Sequence, residues 1–177
     1  MLRSLVALAA TVLLCSASHA QSVSSARAEL IDTQGKKVGT ATIRESAGQG
    51  LWIEVSLTGV PSGPRAMHVH ETGKCEGDFK SAGNHYNPDD HKHGILAEGG
   101  AHAGDLPNIH VPESGELQIE VFAPRLTLAK DAKNTVFDKD GSSLVIHEKI
   151  DDYKSQPSGD AGGRFACGVI EPATAKE

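Results

Sequence analysis

LWIEVSL, residues 51–57, alternates apolar with mostly polar side chains and decides the fold class. Successive side chains of a β-strand point to opposite faces, so the four odd-numbered residues from Leu51 to Leu57 would share one apolar face. This alternation predicts a strand whose sheet has one face on the core. Similar strand-like stretches recur, and the predicted strands are residues 26–31, 37–44, 51–57, 116–122 and 143–147.

Turn residues separate these strands, as in PSGP at 61–64. No stretch of the sequence sustains a helical period, and the sequence has no internal repeat. Short strands divided by glycine- and proline-containing turns are typical of an antiparallel sandwich or barrel. We therefore predict an all-β fold.

Two long segments depart from the strand pattern. Residues 75–112 are rich in Gly, Asn, Asp, Pro and His, and residues 151–163 are polar and glycine-rich. Loops of this length are uncommon in compact domains unless they are functional or disordered. The first segment contains four potential metal ligands, so we expect metal coordination to order it; disorder is the alternative.

The first twenty residues have the features of a cleaved secretory signal. Arg3 supplies a positive start, residues 5–14 form an apolar run, and small residues precede Gln21. Ten apolar residues are too few for a membrane anchor, because a spanning helix needs about 20. The remainder, residues 21–177, is long enough for one domain with a single core.

Charge and cysteine content narrow the class of protein further. The chain has a formal net charge of -6 and no basic cluster, which argues against nucleic acid as a partner. After residue 20 no apolar segment reaches membrane-spanning length. Cys75 and Cys167 remain after signal cleavage, and export to an oxidising compartment predicts a disulfide between them. Two reduced, buried thiols are the alternative.

Seven potential metal ligands are the strongest functional signal. Imidazole nitrogen and carboxylate oxygen suit zinc and copper. Seven donors exceed the needs of one tetrahedral ion, but they fill two sites of four if one histidine bridges two ions. An isolated pair of histidines would be weak evidence for a metal site. Four potential donors within one loop are stronger evidence, because few explanations other than metal binding require them there. The seven are His68, His70, His85, His93, His102, Asp105 and His147.

Several separate motifs lie along the chain after residue 20: HVHE at 68–71, SAGNHYNP at 81–88, KHG at 92–94, HAGDL at 102–106, LVIHEK at 144–149 with DD at 151–152, and GGRFACGVI at 162–170. In their order, and over most of this part of the chain, they resemble the copper–zinc superoxide dismutase family. The resemblance implies a Greek-key antiparallel β-sandwich or flattened barrel with long metal-binding and electrostatic loops, an architecture for which this family is a standard example.

The resemblance also implies one copper and one zinc ion per chain, with His85 bridging them. Zinc has no redox chemistry, so its closed set of four would be structural, whereas copper would change oxidation state. The implied copper ligands are His68, His70, His85 and His147. The implied zinc ligands are His85, His93, His102 and Asp105.

Further residues receive roles from the same resemblance. Asp151 would accept hydrogen bonds from His68 and His93, linking the two metal sites. Arg164 would lie beside the copper channel and, with His85, take part in catalysis. Taken alone, Asp151 would be read as an ordinary loop carboxylate and Arg164 as a surface salt-bridge residue.

Three lysines near the loops that would frame the channel are candidates for steering substrate, or else are simply solvated. They are Lys74, Lys80 and Lys154.

Residues 74–80 and the short segment 153–160 resemble the bacterial, periplasmic branch of the family. The resemblance therefore implies a periplasmic enzyme whose substrate is the superoxide anion, disproportionated to oxygen and hydrogen peroxide. A non-catalytic periplasmic protein that buffers or delivers copper or zinc is the main alternative. A copper-only enzyme is disfavoured, because such proteins lack the zinc ligands that this chain has. Dimer contacts differ between branches, so a homodimer is neither predicted nor excluded.

Overall fold

The computed structural model describes residues 24–173, and nearly all of its regular structure is β. Among these residues, the 3₁₀ turn Lys80–Ala82 is the only helical segment, and no helix has the length and apolarity that crossing a membrane requires. The predicted all-β class is confirmed, whereas the predicted signal peptide lies outside the described residues. The strands are β1 (Ser25–Asp32), β2 (Lys37–Glu45), β3 (Leu51–Leu57), β4 (Gly63–Arg65), β5 (Met67–His70), β6 (Ile109–Val111), β7 (Leu117–Ala123), β8 (Ser143–His147), β9 (Arg164–Val169) and β10 (Glu171–Pro172).

Eight of these strands form one curled antiparallel sheet. Its order is β5-β8-β9-β1-β2-β3-β7, with β10 paired to β1, while β4 and β6 pair with each other. Strands β1 to β3 follow one another as hairpins, but β3 neighbours β7 and β5 neighbours β8. Such non-consecutive neighbours are produced by Greek-key connections.

The alternation of β3 places the core on one side of the sheet. Its four odd-numbered apolar side chains, from Leu51 to Leu57, are at most 2 % exposed, whereas Trp52 is 38 % exposed. Ile53 lies opposite Ile43 of β2 and Val121 of β7, so the buried side chains form rows across the strands. Burying an aliphatic side chain of this size contributes roughly 1.5–3 kcal/mol relative to leaving it exposed.

The five predicted strands match β1, β2, β3, β7 and β8 to within one residue at each end. The other strands are missing from the prediction because each is short or has no two-residue period. All four residues of β5 are buried, for example, so no alternation marks the strand. The predicted loop 75–112 also ends earlier than expected, because β6 begins at Ile109.

The predicted disulfide between Cys75 and Cys167 is present, with the two Cα atoms 5.6 Å apart. It joins the segment after β5 to β9, across 92 positions of the chain. In the chain-entropy model, closing a loop of this length contributes about 4–5 kcal/mol. The two cysteines pack with Phe79 and Val145, so the bond and a small apolar cluster together hold this segment against the sheet.

Candidate metal centre

Two neighbouring strands carry three of the candidate ligands. His68 and His70 belong to β5, and His147 ends β8, which pairs with β5 in antiparallel register. Side chains two residues apart on a strand share a face, which allows His68 and His70 to reach one site. The structure brings all three imidazoles into one buried group.

The long loop after β5 supplies the remaining ligands because it returns along the edge of that strand. Single-residue β-bridges join the loop to β5 at two points, between His68 and Asp105 and between His70 and His85. Gly104 lies directly against the strand, where a Cβ atom would come 2.2 Å from a carbonyl oxygen of β5. Glycine is therefore required for this close approach.

Four histidines form the first donor group, and each is at most 4 % exposed. One potential ligand atom from each lies within 4.8 Å of the others. The Nδ1 atom of His68 and the Nε2 atom of His85 are buried without a hydrogen-bond partner. Because an unpaired buried polar atom costs free energy, a metal ion bound here would satisfy both. The group consists of His68, His70, His85 and His147.

Burial favours the neutral form of His70, His85 and His147. It lowers the pKa of His85 to about 4 and the pKa of His147 to about 3, and it takes the pKa of His70 well below its usual value. Repulsion between neighbouring imidazoles lowers all three pKa values further. Neutral imidazole is the form that coordinates a metal, so at pH 7 these three side chains are ready to bind one.

The second donor group is built around Asp105. Its Oδ1 atom lies 2.9 Å from Nδ1 of His85, 3.1 Å from Nδ1 of His93 and 3.3 Å from Nδ1 of His102. Its Oδ2 atom accepts hydrogen bonds from the main-chain N–H groups of Gly94 and His102. Burial opposes ionisation of this carboxyl, but hydrogen bonds from the three imidazoles hold its pKa far below the usual range. Three nitrogens and one oxygen are a donor set that suits tetrahedral zinc.

His85 belongs to both groups. Its Nδ1 atom points to Asp105, whereas its Nε2 atom is buried within the first group and has no hydrogen-bond partner among the described residues. One imidazole thus offers one nitrogen to each potential ion.

Asp151 links the two donor groups by contacting one histidine of each. Its Oδ2 atom lies 2.8 Å from Nε2 of His68, and its Oδ1 atom lies 3.0 Å from Nε2 of His93. Burial opposes the charge of the carboxylate, but these contacts lower its pKa on balance. Burial likewise opposes protonation of His93, yet hydrogen bonds to Asp105 and Asp151 raise the pKa of His93 to about 9. Carboxylates in such positions fix the tautomer and orientation of a ligand.

Two side chains that support the site are absent from the sequence prediction. Asn108 donates through Nδ2 to the carbonyl oxygen of Asp151 and accepts the N–H of Asp151 on Oδ1. Gln156 forms a similar pair of hydrogen bonds with the main chain of His93. Both amides occur in polar loops, where no spacing or residue type distinguishes them from ordinary solvated side chains.

A cavity of about 420 Å³ opens onto the first group, and Arg164 lines it together with His70, His85 and His147. Arg164 begins β9, and its guanidinium donates to the carbonyl oxygens of Phe79 and Gly83. The disulfide-linked segment thus positions this cation at the cavity. Burial lowers the pKa of Arg164, with nearby carboxylates acting in the opposite direction.

None of the three candidate steering lysines lines this cavity. Lys74, Lys80 and Lys154 are all exposed, and Lys80 pairs with Asp78 at 2.5 Å. Within residues 24–173, Arg164 is the only lysine or arginine in the cavity wall, where Glu71 and Asp90 contribute negative charge.

Comparison with known proteins gives one consistent family. The model of the family described as copper/zinc superoxide dismutase (SODC) matches residues 37–170. A superoxide dismutase [Cu-Zn] 2 of Aquifex aeolicus (strain VF5) is 46 % identical over 165 residues, covering 92 % of this chain and 95 % of the relative. A superoxide dismutase [Cu-Zn] of Caulobacter vibrioides is 40 % identical over 150 residues, covering 83 % and 86 % of the two chains.

Solved structures agree with the sequence comparison. A SOD-like protein from Bacillus subtilis superposes with a TM-score of 0.78 at 40 % identity, covering 81 % of this chain and 96 % of that one. The Cu/Zn superoxide dismutase from Brucella abortus superposes with a TM-score of 0.66 at 35 % identity, covering 83 % and 99 %. The predicted sandwich architecture is therefore confirmed.

Proposed function

The chain belongs to the copper/zinc superoxide dismutase family, and on that premise we propose that it disproportionates superoxide to oxygen and hydrogen peroxide. The family uses one copper and one zinc ion, which matches the two donor groups of this chain. We assign copper to His68, His70, His85 and His147. We assign zinc to His85, His93, His102 and Asp105.

One observation carries this proposal. A buried four-donor group and a partly buried one share a single imidazole, and the first group opens onto a cavity with an arginine in its wall. A storage or delivery site needs donors, but it does not need a shared ligand or an anion-attracting opening. The unpartnered buried nitrogens of His68 and His85 fit a bound cation. Nitrogen donors with access for a small oxidant suit copper, and the closed N₃O set suits zinc.

Copper, when bound, supplies the one-electron redox chemistry that oxidises one superoxide and reduces a second. The residues of the chain attract the anion, orient the ligands and hold a proton for the peroxide. We assign the proton to Nε2 of His85, which would hold it only while this nitrogen does not bind copper; the atom has no hydrogen-bond partner among residues 24–173 and its ring lines the cavity. Asp151 orients His68 and His93 through their Nε2 atoms, so the two donor groups keep a fixed relation to each other.

The location that best suits this assignment is the periplasm, reached through the predicted signal of residues 1–20. Disulfides such as that between Cys75 and Cys167 form and persist mainly in oxidising compartments, and the similar proteins include bacterial superoxide dismutases. The substrate is the superoxide anion, and residues 21–177 act as the single catalytic domain.

Metal reconstitution tests the function directly. We expect protein loaded with copper and zinc to disproportionate superoxide rapidly, and the zinc-only form to show only the uncatalysed background rate. The measurement is superoxide decay by stopped-flow absorbance, with metal content determined on the same samples. Full occupancy of both sites without turnover would instead favour a protein that buffers or delivers copper or zinc.

Replacing Arg164 with Glu should slow the reaction strongly, because it reverses the charge of the only lysine or arginine that residues 24–173 place in the cavity wall. Focused fields raise association rates by roughly 10–10³-fold, a range for which superoxide dismutases are themselves a standard example. We expect the kcat/KM of Arg164→Glu to be at least about tenfold lower than that of the wild type. We also expect that added salt no longer lowers the rate of this variant.

The matched control for this variant is Arg27→Glu, which makes the same change in net charge at an exposed site on β1. Its rate should stay close to that of the wild type, and copper content should be equal in all three proteins. Equal rates for Arg164→Glu and Arg27→Glu would remove Arg164 from the steering of superoxide.

A further inference from the structure

The side-chain amide of Gln156 pairs with the main chain of His93, 63 positions away in sequence. The N–H of His93 donates to Oε1 of Gln156 at 2.9 Å, and Nε2 of Gln156 donates to the carbonyl oxygen of His93 at 2.9 Å. The same Nε2 atom also donates to the carbonyl oxygen of Lys154 at 2.9 Å. The amide therefore uses both its donor and its acceptor and is tied to its own loop as well as to His93.

These contacts complete the restraint of His93. Its buried ring is held on both sides, with Nδ1 at 3.1 Å from Asp105 and Nε2 at 3.0 Å from Asp151. Those two contacts fix the ring plane, but they do not fix the main chain from which the ring extends. Gln156 fixes the main chain through the amide N–H and the carbonyl of the same residue.

The segment that follows His93 packs tightly against the loop that carries Gln156. A Cβ atom at Gly94 would come 2.0 Å from the carbonyl oxygen of Tyr153, and the N–H of Leu96 donates to that same oxygen. The two loops therefore meet through their main chains, and Gln156 lies within this contact although its outer side is exposed. A glutamine side chain that was simply solvated would not pair with both the N–H and the carbonyl oxygen of one buried residue.

We propose that Gln156 is a positioning residue for the zinc site: it holds the main chain of His93 so that Nδ1 of the ring converges with the other zinc donors. The proposal rests on the assignment of His93 as a zinc ligand. The adjacent residues Pro157 and Ser158 line the cavity beside the copper ligands, so the same loop borders both sites. Because the amide restrains His93 directly, its loss should release zinc faster than a general loosening of the loop would.

The test compares Gln156→Met with Asp152→Ala in the protein loaded with both metals. Methionine keeps the length of the side chain, but its thioether cannot donate a hydrogen bond and is only a weak acceptor. The control, Asp152→Ala, removes hydrogen bonds to Lys154 and Ser155 within the same exposed loop. The readouts are the rate of zinc transfer to a chromogenic chelator and the visible spectrum of protein carrying cobalt(II) in place of zinc.

We expect Gln156→Met to release zinc roughly tenfold faster than the wild type. This is the lower end of the effect seen when a hydrogen-bond partner of a metal ligand is lost. Its cobalt spectrum should shift, because the geometry around the ion changes. Asp152→Ala should leave both readouts near the wild type. Wild-type release by Gln156→Met, or equally fast release by Asp152→Ala, would overturn the proposal.

A third variant separates this inference from the metal assignment beneath it. His93→Ala should lose zinc at concentrations where the wild type retains one ion per chain. If His93→Ala keeps its zinc, the ligand assignment is wrong and the role of Gln156 falls with it. If His93→Ala loses zinc while Gln156→Met behaves as wild type, only the role of Gln156 is wrong.

Discussion

His147→Ala should abolish copper retention and superoxide disproportionation while leaving a folded protein that still binds zinc. His147 ends β8, and its Nε2 atom lies 3.3 Å from Nε2 of His70, so it closes the first donor group, which we assign to copper (the copper group), from the neighbouring strand. It is not a member of the second donor group, which we assign to zinc (the zinc group). Loss of a side chain that hydrogen-bonds to a metal ligand costs about 10–100-fold in metal affinity. Loss of the ligand itself should cost more. Activity should therefore fall to that of the zinc-only protein.

Three measurements on one sample test this prediction. Metal analysis after dialysis measures copper and zinc retention, superoxide decay measures activity, and circular dichroism measures folding. The matched control is His110→Ala, because His110 is an exposed histidine on β6 outside both donor groups. This variant should keep both metals and full activity. An unfolded His147→Ala protein, or one that loses both metals together, would contradict separate roles for the two donor groups.

The main strands could be predicted because their sheet has one covered face. Burial of the apolar side of β3 imposes a two-residue period, so the positions from Leu51 to Leu57 carry their own signal. Strand β5 is different: all four of its residues are buried, and the metal-binding loop bridges it at His68 and His70. With no exposed side chain, the strand has no alternation to detect.

The seven potential donors could be recognised in the sequence because coordination demands particular side chains, whereas their division into two groups of four came from the family resemblance. Imidazole and carboxylate in a fixed order leave a trace in the sequence that few other constraints produce. Asn108 and Gln156 leave no such trace, since they bind main-chain atoms, which every residue supplies. The setting of Arg164 is similar, because its guanidinium donates to the carbonyl oxygens of Phe79 and Gly83 rather than to side chains. Contacts of this kind depend on how the loops meet, and only the folded chain determines that.

Asp105→Ala should lower zinc occupancy and thermal stability together. Asp105 is the only carboxylate of the zinc group, and three imidazole Nδ1 atoms converge on its Oδ1 atom. A metal that binds only the native state stabilises it by mass action, and binding at 100 times the Kd contributes about 2.7 kcal/mol. For a chain of this size, 1 kcal/mol corresponds to roughly 2–4 °C in Tm. Loss of zinc at that concentration should therefore lower Tm by about 5–10 °C.

Asp105 also accepts the N–H groups of Gly94 and His102, so its removal destabilises the metal-free protein as well. An unsatisfied buried donor costs about 1–3 kcal/mol. A lower Tm of the metal-loaded variant would therefore not distinguish loss of zinc from loss of these hydrogen bonds. The informative quantity is the rise in Tm that zinc produces, measured by calorimetry on metal-free and zinc-loaded samples. This rise should nearly vanish in Asp105→Ala. It should persist in Asp89→Ala, which removes an exposed carboxylate of the same loop that pairs with Lys133. Unchanged zinc content in Asp105→Ala would refute the assignment, because no other carboxylate belongs to the zinc group within the described residues.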